Sequence, residues 1–203
     1  MKIKVFESPF PYIQIYDFYT DEELKLIWKE LDFILNDYNL LGPDKTASAH
    51  DNGVLLKNNL GFFLDSLYTN RESSNILRIN RKIFHVTQEI FDKSNNWFLK
   101  NFKSNVDGTL ISYYENGHYY NKHYDDAAAT CLTWLYKEPK SFVGGNLLFE
   151  DYGIEVEVKN NSLIFFPSII PHRVSTISMD ERYSGKCMGR ICISQFIGLA
   201  PLL

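Results

Sequence analysis

Hydrophobic positions recur with two different periods along the chain. Up to about residue 105 they recur at helical spacing in two segments, whereas from residue 108 onward they recur mainly at every second position. Spacings of three and four place side chains on one face of a helix, and a spacing of two places them on one face of a strand. The pattern therefore predicts a mixed first half and a β-rich second half.

Two helical regions are predicted in the first half. The first covers TDEELKLIWKELDFIL, in which Thr20 followed by Glu23 forms a capping box. The second covers residues 75–99. Because each region carries an apolar stripe, we expect the helices to lie against a sheet. The stripe of the first contains Leu24, Ile27, Trp28, Leu31 and Ile34, and that of the second contains Ile76, Ile79, Ile83, Val86 and Ile90.

Strand-forming segments surround and follow these helices. One strand is predicted at residues 11–18, whereas residues 39–60 carry turn signals and indicate irregular structure. IEVEV, a KNN turn and SLIFF are predicted to form a hairpin. Many short strands after two helices favour an α+β, mainly β fold, a sandwich or barrel with the helices packed on one side. The later strands are DGTLISYY, ATCLTWLY, GGNLLFED, IEVEV, SLIFF and GRICISQFIG.

Length and charge narrow the class of protein. The 203 residues suit one domain, with residues 1–105 as a helical support region and 106–203 as a β core. A net charge of −4 without a basic run argues against a nucleic-acid partner. No signal sequence and no run of about 18 apolar residues is found, so no membrane association is expected. Three cysteines without a Cys-x-x-Cys pair favour a reducing, cytoplasmic location.

The segment GHYYNKHYDD, residues 117–126, contains the strongest candidate chemistry. In an extended strand, alternation places His123 and Asp125 on one face and turns His118 and Asp126 away from it. An imidazole and a carboxylate are two of the three ligands in the facial triad that binds non-haem Fe(II). The segment therefore predicts two ligands of a metal site.

The third ligand is expected to be a histidine from a neighbouring strand. His85 lies within a helical pattern and His50 within an irregular segment. His172 follows SLIFFPSIIP, an apolar strand with a turn, where a partner strand would deliver it. We therefore predict that His172 completes the set.

Several motifs in a fixed order resemble one family. The pattern Tyr-x-x-Gly-x-x-Tyr-x-x-His-x-Asp is followed by the strand LTWLY, by GGNLLF, by FFPSIIPHRV and by Gly-Arg before the last strand. The chain thereby resembles the Fe(II)- and 2-oxoglutarate-dependent dioxygenases, in particular the prolyl-4-hydroxylase-like branch, over most of its length. The first pattern is formed by Tyr114, Gly117, Tyr120, His123 and Asp125, and the Gly-Arg pair by Gly189 and Arg190.

The resemblance implies a fold, cofactors and a reaction. The fold is a double-stranded β-helix, or jelly roll. The cofactors are Fe(II), held by His123, Asp125 and His172, with 2-oxoglutarate as cosubstrate, O2, and ascorbate as an optional addition. The reaction is hydroxylation of a C–H bond, with succinate and CO2 as coproducts. Because Asp125 is present, the halogenase variant that lacks this carboxylate is not expected.

The distal carboxylate of 2-oxoglutarate needs a cation. Arg190 is the predicted anchor, since a guanidinium grips a carboxylate through two parallel hydrogen bonds and Ser194 shares its strand face. Arg190 lies 18 residues after His172, a longer gap than is usual in the branch, so Arg182 and Lys186 remain alternatives. Three tyrosines are expected to line the cosubstrate pocket: Tyr114, Tyr120 and Tyr136.

The substrate is less narrowly defined. The favoured one is a peptidyl side chain such as proline, and the alternative is a small free metabolite bound to the same scaffold. A metal-dependent hydrolase with the same ligands and a binding module without catalysis are further alternatives. Residues 40–60 and 175–188 are the expected substrate loops. The sequence leaves the oligomeric state open.

Overall fold

The computed structural model describes residues 1–35, 40–46 and 50–199. Short 3-10 turns lie at Pro43–Lys45, Arg71–Ser73, Glu150–Tyr152 and Glu181–Tyr183. The α-helices are α1 (Asp21–Ile34), α2 (Leu64–Leu67), α3 (Asn75–Asn80), α4 (Lys82–Lys93) and α5 (Trp97–Asn101).

Strands make up most of the regular structure. The described strands are β1 (Lys2–Phe6), β2 (Tyr12–Tyr16), β3 (His50–Asp51), β4 (Val54–Leu55), β5 (Lys57–Asn58), β6 (Leu60–Phe63), β7 (Val106–Tyr114), β8 (Tyr119–His123), β9 (Ala129–Leu135), β10 (Phe142–Val143), β11 (Leu147–Phe149), β12 (Ile154–Val156), β13 (Ser162–Pro167), β14 (His172–Val174), β15 (Ser178–Met179) and β16 (Arg190–Gly198).

Two sheets organise these strands. The larger has seven strands in the order β1-β2-β13-β9-β16-β7-β6, and the smaller has five in the order β12-β11-β14-β8-β5. Two-strand ribbons, β3–β4 and β10–β15, complete the set in the described residues. The expectation of a mainly β chain with helices is confirmed.

The predicted first helix is present as α1. The Glu23 amide donates to Thr20 Oγ1 at 3.2 Å, and the Thr20 amide donates to Glu23 Oε2 at 2.9 Å, so the capping box is formed. The stripe residues Ile27 and Leu31 are fully buried. Side-chain spacing and capping thus define this helix as the sequence predicted.

The second helical region is divided into α3, α4 and α5. Ser74 caps α3 by accepting a hydrogen bond from the Leu77 amide at 3.0 Å, and Asn96 caps α5 by accepting one from the Phe98 amide at 2.9 Å. Serine and asparagine side chains compete for backbone donors, which favours a new helix start over continuation. The periodicity was therefore right and the single continuous region was not.

The helices pack on one face of the seven-stranded sheet, as expected. Alternation along the long strands β7, β9, β13 and β16 divides their side chains between a helix-facing layer and an inner layer that faces the five-stranded sheet. The helix-facing layer includes Ile111, Cys131, Leu163, Phe165, Ile191 and Ile193 with Ile27, Leu31, Ile76 and Leu77. The inner layer includes Tyr114, Leu132, Trp134, Phe166 and Cys192 with Leu147, Phe149 and Val174.

The predicted hairpin between IEVEV and SLIFF is wrong. β12 pairs with β11 in the five-stranded sheet, whereas β13 pairs with β2 and β9 in the seven-stranded sheet. All six residues of β13 are buried, so it needs a neighbour on each edge and a layer on each face. A half-exposed edge strand such as β12 cannot supply that environment.

The first 105 residues also contribute strands to both sheets. β1, β2 and β6 belong to the seven-stranded sheet and β5 belongs to the five-stranded sheet. Only Asn59 separates β5 from β6, so the chain crosses between the sheets there. This crossing connects an edge strand of one sheet to an edge strand of the other. The segment 39–60, interpreted as irregular, therefore contains short strands, although residues 39 and 47–49 lie outside the described part. The proposed division at residue 105 stays a prediction.

None of the helices in the described ranges combines the length and the apolar composition needed to cross a bilayer.

Candidate metal centre and its cavity

A β-bulge, rather than simple alternation, aims the first candidate ligand. Tyr120 pairs with Val174 and His123 pairs with His172, so three steps along β8 match two along β14. The extra residue leaves Asn121 exposed together with the residue after it, and both Tyr120 and His123 face inward. The prediction of an unbroken alternating strand is therefore corrected.

Asp125 lies beyond the end of β8 and is positioned by two contacts. Its amide donates to the Ser168 carbonyl at 3.1 Å, and the Thr130 hydroxyl donates to its Oδ2 at 2.6 Å. Thr130 Oγ1 is also 2.8 Å from Ser168 Oγ. These contacts fix the carboxylate on the first turn after the strand.

The three predicted ligands converge. His123 Nε2 is 3.6 Å from Asp125 Oδ1, and His172 Nε2 is 3.5 Å from Asp125 Oδ2. One ligand atom from each residue lies within 4.8 Å of the others, a spacing that could hold a metal ion. The structure does not bring His118 into this group, since its Nδ1 accepts a hydrogen bond from the Glu115 amide at 3.0 Å.

Backbone carbonyls define the tautomer of both imidazoles. His123 Nδ1 is 2.8 Å from the Asn121 carbonyl oxygen, and His172 Nδ1 is 3.0 Å from the Ile170 carbonyl oxygen. A carbonyl only accepts hydrogen bonds, so each Nδ1 carries the proton. Both Nε2 atoms therefore face the Asp125 carboxylate, where each can bind a cation through its lone pair in the neutral tautomer.

The surroundings keep His123 uncharged. Burial, followed by the neighbouring His172 imidazole, lowers the pKa of His123 to about 3. The Tyr120 ring stacks on the His123 ring with 3.5 Å between centroids and 8° between planes, and the Phe166 ring meets His172 nearly edge-on at 4.9 Å. Aromatic walls thus hold both rings in place, and the lowered pKa keeps the His123 lone pair available at neutral pH.

A cavity of about 400 Å³ adjoins the three residues. Its walls combine apolar side chains with a few polar groups that point at the same space. The predicted cosubstrate residues Tyr114, Tyr120, Arg190 and Ser194 line it, as do His123, Asp125 and His172, together with Lys57, Phe63, Leu110, Ser112, Leu132, Val174, Cys192 and Phe196.

Arg190 is fully buried within this cavity wall. The Tyr114 hydroxyl and the Cys192 thiol lie near its guanidinium, but none of its three nitrogens makes a hydrogen bond of good geometry within the described residues. Its Cζ lies 4.7 Å from the Tyr114 ring centroid and 5.8 Å from that of Trp134. A buried cation without a counter-ion is costly, so the geometry fits a site that receives an anion.

Gly145 makes room for the guanidinium. Its φ is +71°, and a Cβ atom at this position would lie 2.9 Å from Arg190 Cδ. The glycine pair of the GGNLLF motif therefore does more than form a turn, because its second member lets the backbone approach the arginine side chain.

Three other predicted cosubstrate residues lie elsewhere. Arg182 and Lys186 are exposed and do not line the cavity, and Arg182 pairs with Asp180. Tyr136 follows the end of β9, and its ring packs edge-on against Phe142 at 5.5 Å. Tyr136 is therefore not among the residues that line the cavity.

Sequence reasoning missed Lys57 and Thr130. Lys57 is 3% exposed, lines the cavity and donates to the carbonyl of Thr46 and, at 3.1 Å, to its hydroxyl. Burial lowers the pKa of Lys57 to about 8. It lies in a segment without a clear period, so no pattern marked it. Thr130 was read only as part of an apolar strand.

Comparison with known families gives one match. Residues 109–189 match the 2OG-Fe(II) oxygenase superfamily. This range contains the bulged strand, all three candidate ligands and the segment up to Arg190. None of the curated proteins matches the chain by sequence.

Solved structures with a similar fold include three prolyl hydroxylases. A viral collagen prolyl hydroxylase from Paramecium bursaria Chlorella virus-1, solved with 2OG, is 17% identical with a TM-score of 0.60, covering 93% of this chain and 96% of its own. A Pseudomonas putida prolyl-4-hydroxylase is 14% identical with a TM-score of 0.62, covering 94% and 93%. A Trichoplax adhaerens prolyl hydroxylase, solved with a hypoxia-inducible-factor peptide, is 13% identical with a TM-score of 0.60, covering 92% and 83%.

Proposed function

We propose that the chain, whose residues 109–189 match the 2OG-Fe(II) oxygenase superfamily, is a 2-oxoglutarate-dependent dioxygenase that hydroxylates a C–H bond of a peptidyl side chain such as proline. Succinate and CO2 are the coproducts. The two facing sheets support a double-stranded β-helix as the finer description of the fold.

The donor set fits Fe(II). Two imidazole Nε2 atoms and one carboxylate form the two-histidine, one-carboxylate set that leaves open positions on such a metal. When bound together, Fe(II) and 2-oxoglutarate supply the chemistry by which O2 places one oxygen atom in the substrate C–H bond and the other in succinate. His123, Asp125 and His172 are the proposed ligands.

The residues around the ligands have definable tasks. The carbonyls of Asn121 and Ile170 hold the Nδ1 protons, so the imidazoles cannot turn their lone pairs away. The Thr130 hydroxyl holds Oδ2 of Asp125 and thereby fixes the direction of the carboxylate. Such supporting contacts typically change metal affinity by about 10–100-fold.

Arg190 is the proposed anchor for the distal carboxylate of 2-oxoglutarate. Its guanidinium is planar, buried and without a partner in the described residues, and it lies in the same cavity as the three ligands. Ser194, on the same strand face, can add a hydroxyl. Leu132 and Val174 line the walls and help to exclude water.

One observation carries the proposal. The fully buried Arg190 guanidinium, which has no counter-ion in the described residues, lies in the same cavity as the converged His–Asp–His cluster. A metal-dependent hydrolase would need the ligands but not the buried anion site. A binding module without catalysis would need neither.

A peptidyl substrate is favoured over a free metabolite by a further observation. Tyr124 is 65% exposed and lies with the exposed Asp126 along the cavity wall, so aromatic and charged groups reach outward from the site. The Trichoplax enzyme of similar fold was solved with a peptide fragment bound.

The test is release of succinate from 2-oxoglutarate by protein supplied with Fe(II), O2 and ascorbate. His123→Ala and Asp125→Ala should abolish release, whereas Arg190→Ala should mainly raise the 2-oxoglutarate concentration needed for half-maximal rate. A peptide array scored by a mass gain of one oxygen atom then addresses the substrate. Full succinate release by both ligand variants would refute the proposed function.

A further inference from the structure

Lys57 is a second buried cation in the cavity, and it lies next to the proposed metal ligands. It pairs with Tyr120 across β5 and β8, and its Nζ is 5.5 Å from the Tyr120 ring centroid. The other partner of that ring is His123, stacked at 3.5 Å. Lys57 and the imidazole are thus neighbours of the same aromatic side chain.

The hydrogen bonds of Lys57 leave capacity for a ligand. An ammonium has three donors, and the described residues accept only two, both through neutral oxygens of Thr46. No carboxylate in the described part of the chain forms an ion pair with Lys57, although the field of Asp125 reaches it. Within the described residues, this 3% exposed cation therefore has one donor left and no direct counter-ion.

The two cavity cations come from opposite sheets. Lys57 belongs to the five-stranded sheet, which also carries His123 and His172, whereas Arg190 belongs to the seven-stranded sheet. Arg190 contacts Tyr114 and Trp134, and Lys57 contacts Tyr120 and Thr46. The cavity thus offers two positive groups on facing sheets, and Lys57 is the one that shares a sheet with both histidine ligands.

We propose that Lys57 is a second carboxylate-binding residue, whose free N–H donates to the carboxylate of 2-oxoglutarate that adjoins the keto group while Arg190 holds the distal one. This inference rests on the proposed function. A charge-assisted hydrogen bond of this kind is stronger than one between neutral groups. At neutral pH the amine still carries its proton, because even its lowered pKa lies near 8.

Two 2-oxo acids can distinguish the contribution of Lys57 to binding from that of Arg190. 2-Oxoglutarate carries both carboxylates, whereas 2-oxopentanoate keeps the keto acid end and has a methyl group in place of the distal carboxylate. Binding of each acid is measured by isothermal titration calorimetry on full-length protein saturated with Mn(II), so no turnover is needed. Arg190→Met should weaken 2-oxoglutarate more than tenfold and leave 2-oxopentanoate within about twofold.

Lys57→Met should weaken both acids by the same factor, roughly tenfold, which corresponds to one lost charge-assisted hydrogen bond. Lys57→Arg keeps the charge and should recover most of the affinity for both. If Lys57→Met folds poorly, Lys57→Arg still tests whether a cation at this position supports binding. Lys122→Met is the matched control, since it removes a cation from the same sheet that faces solvent and pairs with Asp151.

The outcomes are distinct. Unchanged binding of both acids in Lys57→Met, or a loss confined to 2-oxoglutarate, overturns the assignment of Lys57 to the keto-acid end. An equal loss in Lys122→Met also overturns it, because a general field effect would then explain the data. If wild-type protein binds neither acid, the proposed function itself fails before Lys57 is considered.

Discussion

At the scale of single residues, the candidate centre depends on contacts that hold each ligand in one orientation. Asp125 is the clearest case, because it lies outside a strand and its direction is set by the Thr130 hydroxyl and the Ser168 carbonyl. Residues that do not bind the metal themselves but hold one of its ligands should therefore influence metal affinity.

Thr130→Val should weaken Mn(II) binding by about 10–100-fold, because the carboxylate loses the donor that fixes Oδ2. Thr130→Ser keeps the hydroxyl and should bind Mn(II) within a few-fold of wild type. The measurement is calorimetric titration with Mn(II). Equal affinities in the valine and serine variants would show that Thr130 does not position Asp125.

Lys57 should also make stability depend on pH. Its pKa is lowered from 10.5 to about 8 in the folded protein, mainly by burial. The unfolded chain therefore binds this proton more tightly than the folded protein does. Below pH 8, burial of the protonated amine thus lowers the free energy of unfolding. As pH rises from 8 toward 10.5 the penalty is relieved. Wild type should thus gain stability relative to Lys57→Met over this range.

Denaturant unfolding of both proteins without metal at pH 7 and pH 9.5 tests this expectation. Other titrating groups are common to the two proteins and cancel in the difference. A difference in unfolding free energy that stays constant with pH would contradict the lowered pKa.

A buried group that lowers stability yet lines the cavity is typical of a functional residue.

At the scale of elements, the loop between β10 and β11 and the start of β16 form one unit. Gly145 lies against the Arg190 side chain at a positive φ, and a larger residue would require the side chains of Arg190 and Ile177 to shift. A turn that the sequence marks as a glycine pair therefore also determines where the proposed anion site lies.

Gly145→Ala should weaken 2-oxoglutarate binding at least tenfold, because the added Cβ would lie 2.9 Å from Arg190 Cδ. Gly153→Ala is the control, since Gly153 also has a positive φ, +63°, but nothing lies within 4 Å of an added Cβ. It should lower stability by about 1–2 kcal/mol and leave binding unchanged. Calorimetry on Mn(II)-loaded protein compares the 2-oxoglutarate affinities of the two variants. Similar losses of affinity in both would show that Gly145 has no specific role in binding.

At the scale of the whole molecule, the seven-stranded sheet separates two layers with different tasks. Its outer face packs on the helices, and its inner face lines the cavity. Stability and ligand binding should therefore be separable by mutation.

Leu31→Ala should lower the free energy of unfolding by about 2–5 kcal/mol, because Leu31 is fully buried in the helix layer. The folded variant should bind Mn(II) with unchanged affinity, since Leu31 belongs to the layer on the other side of the sheet. Denaturant unfolding and calorimetry give the two values. A matching loss of metal affinity would show that the helix layer and the cavity are coupled.

The sequence by itself determined much of this protein. Residue spacing and a capping box defined α1, the two-residue period defined β7, β9 and β16, and ordered motifs marked His123, Asp125, His172 and Arg190. These features are local, or they are carried by residue types that are chemically distinctive, so they can be read without knowing the neighbours.

Tertiary structure decided the rest. The bulge in β8 exists only because β14 pairs with it, and β13 left its predicted hairpin because its buried faces needed β2 and β9. Lys57 reaches the cavity because β5 adds to the sheet edge beside Tyr120. Each of these depends on a partner distant in sequence, and pairing between distant segments leaves no periodic mark on either one.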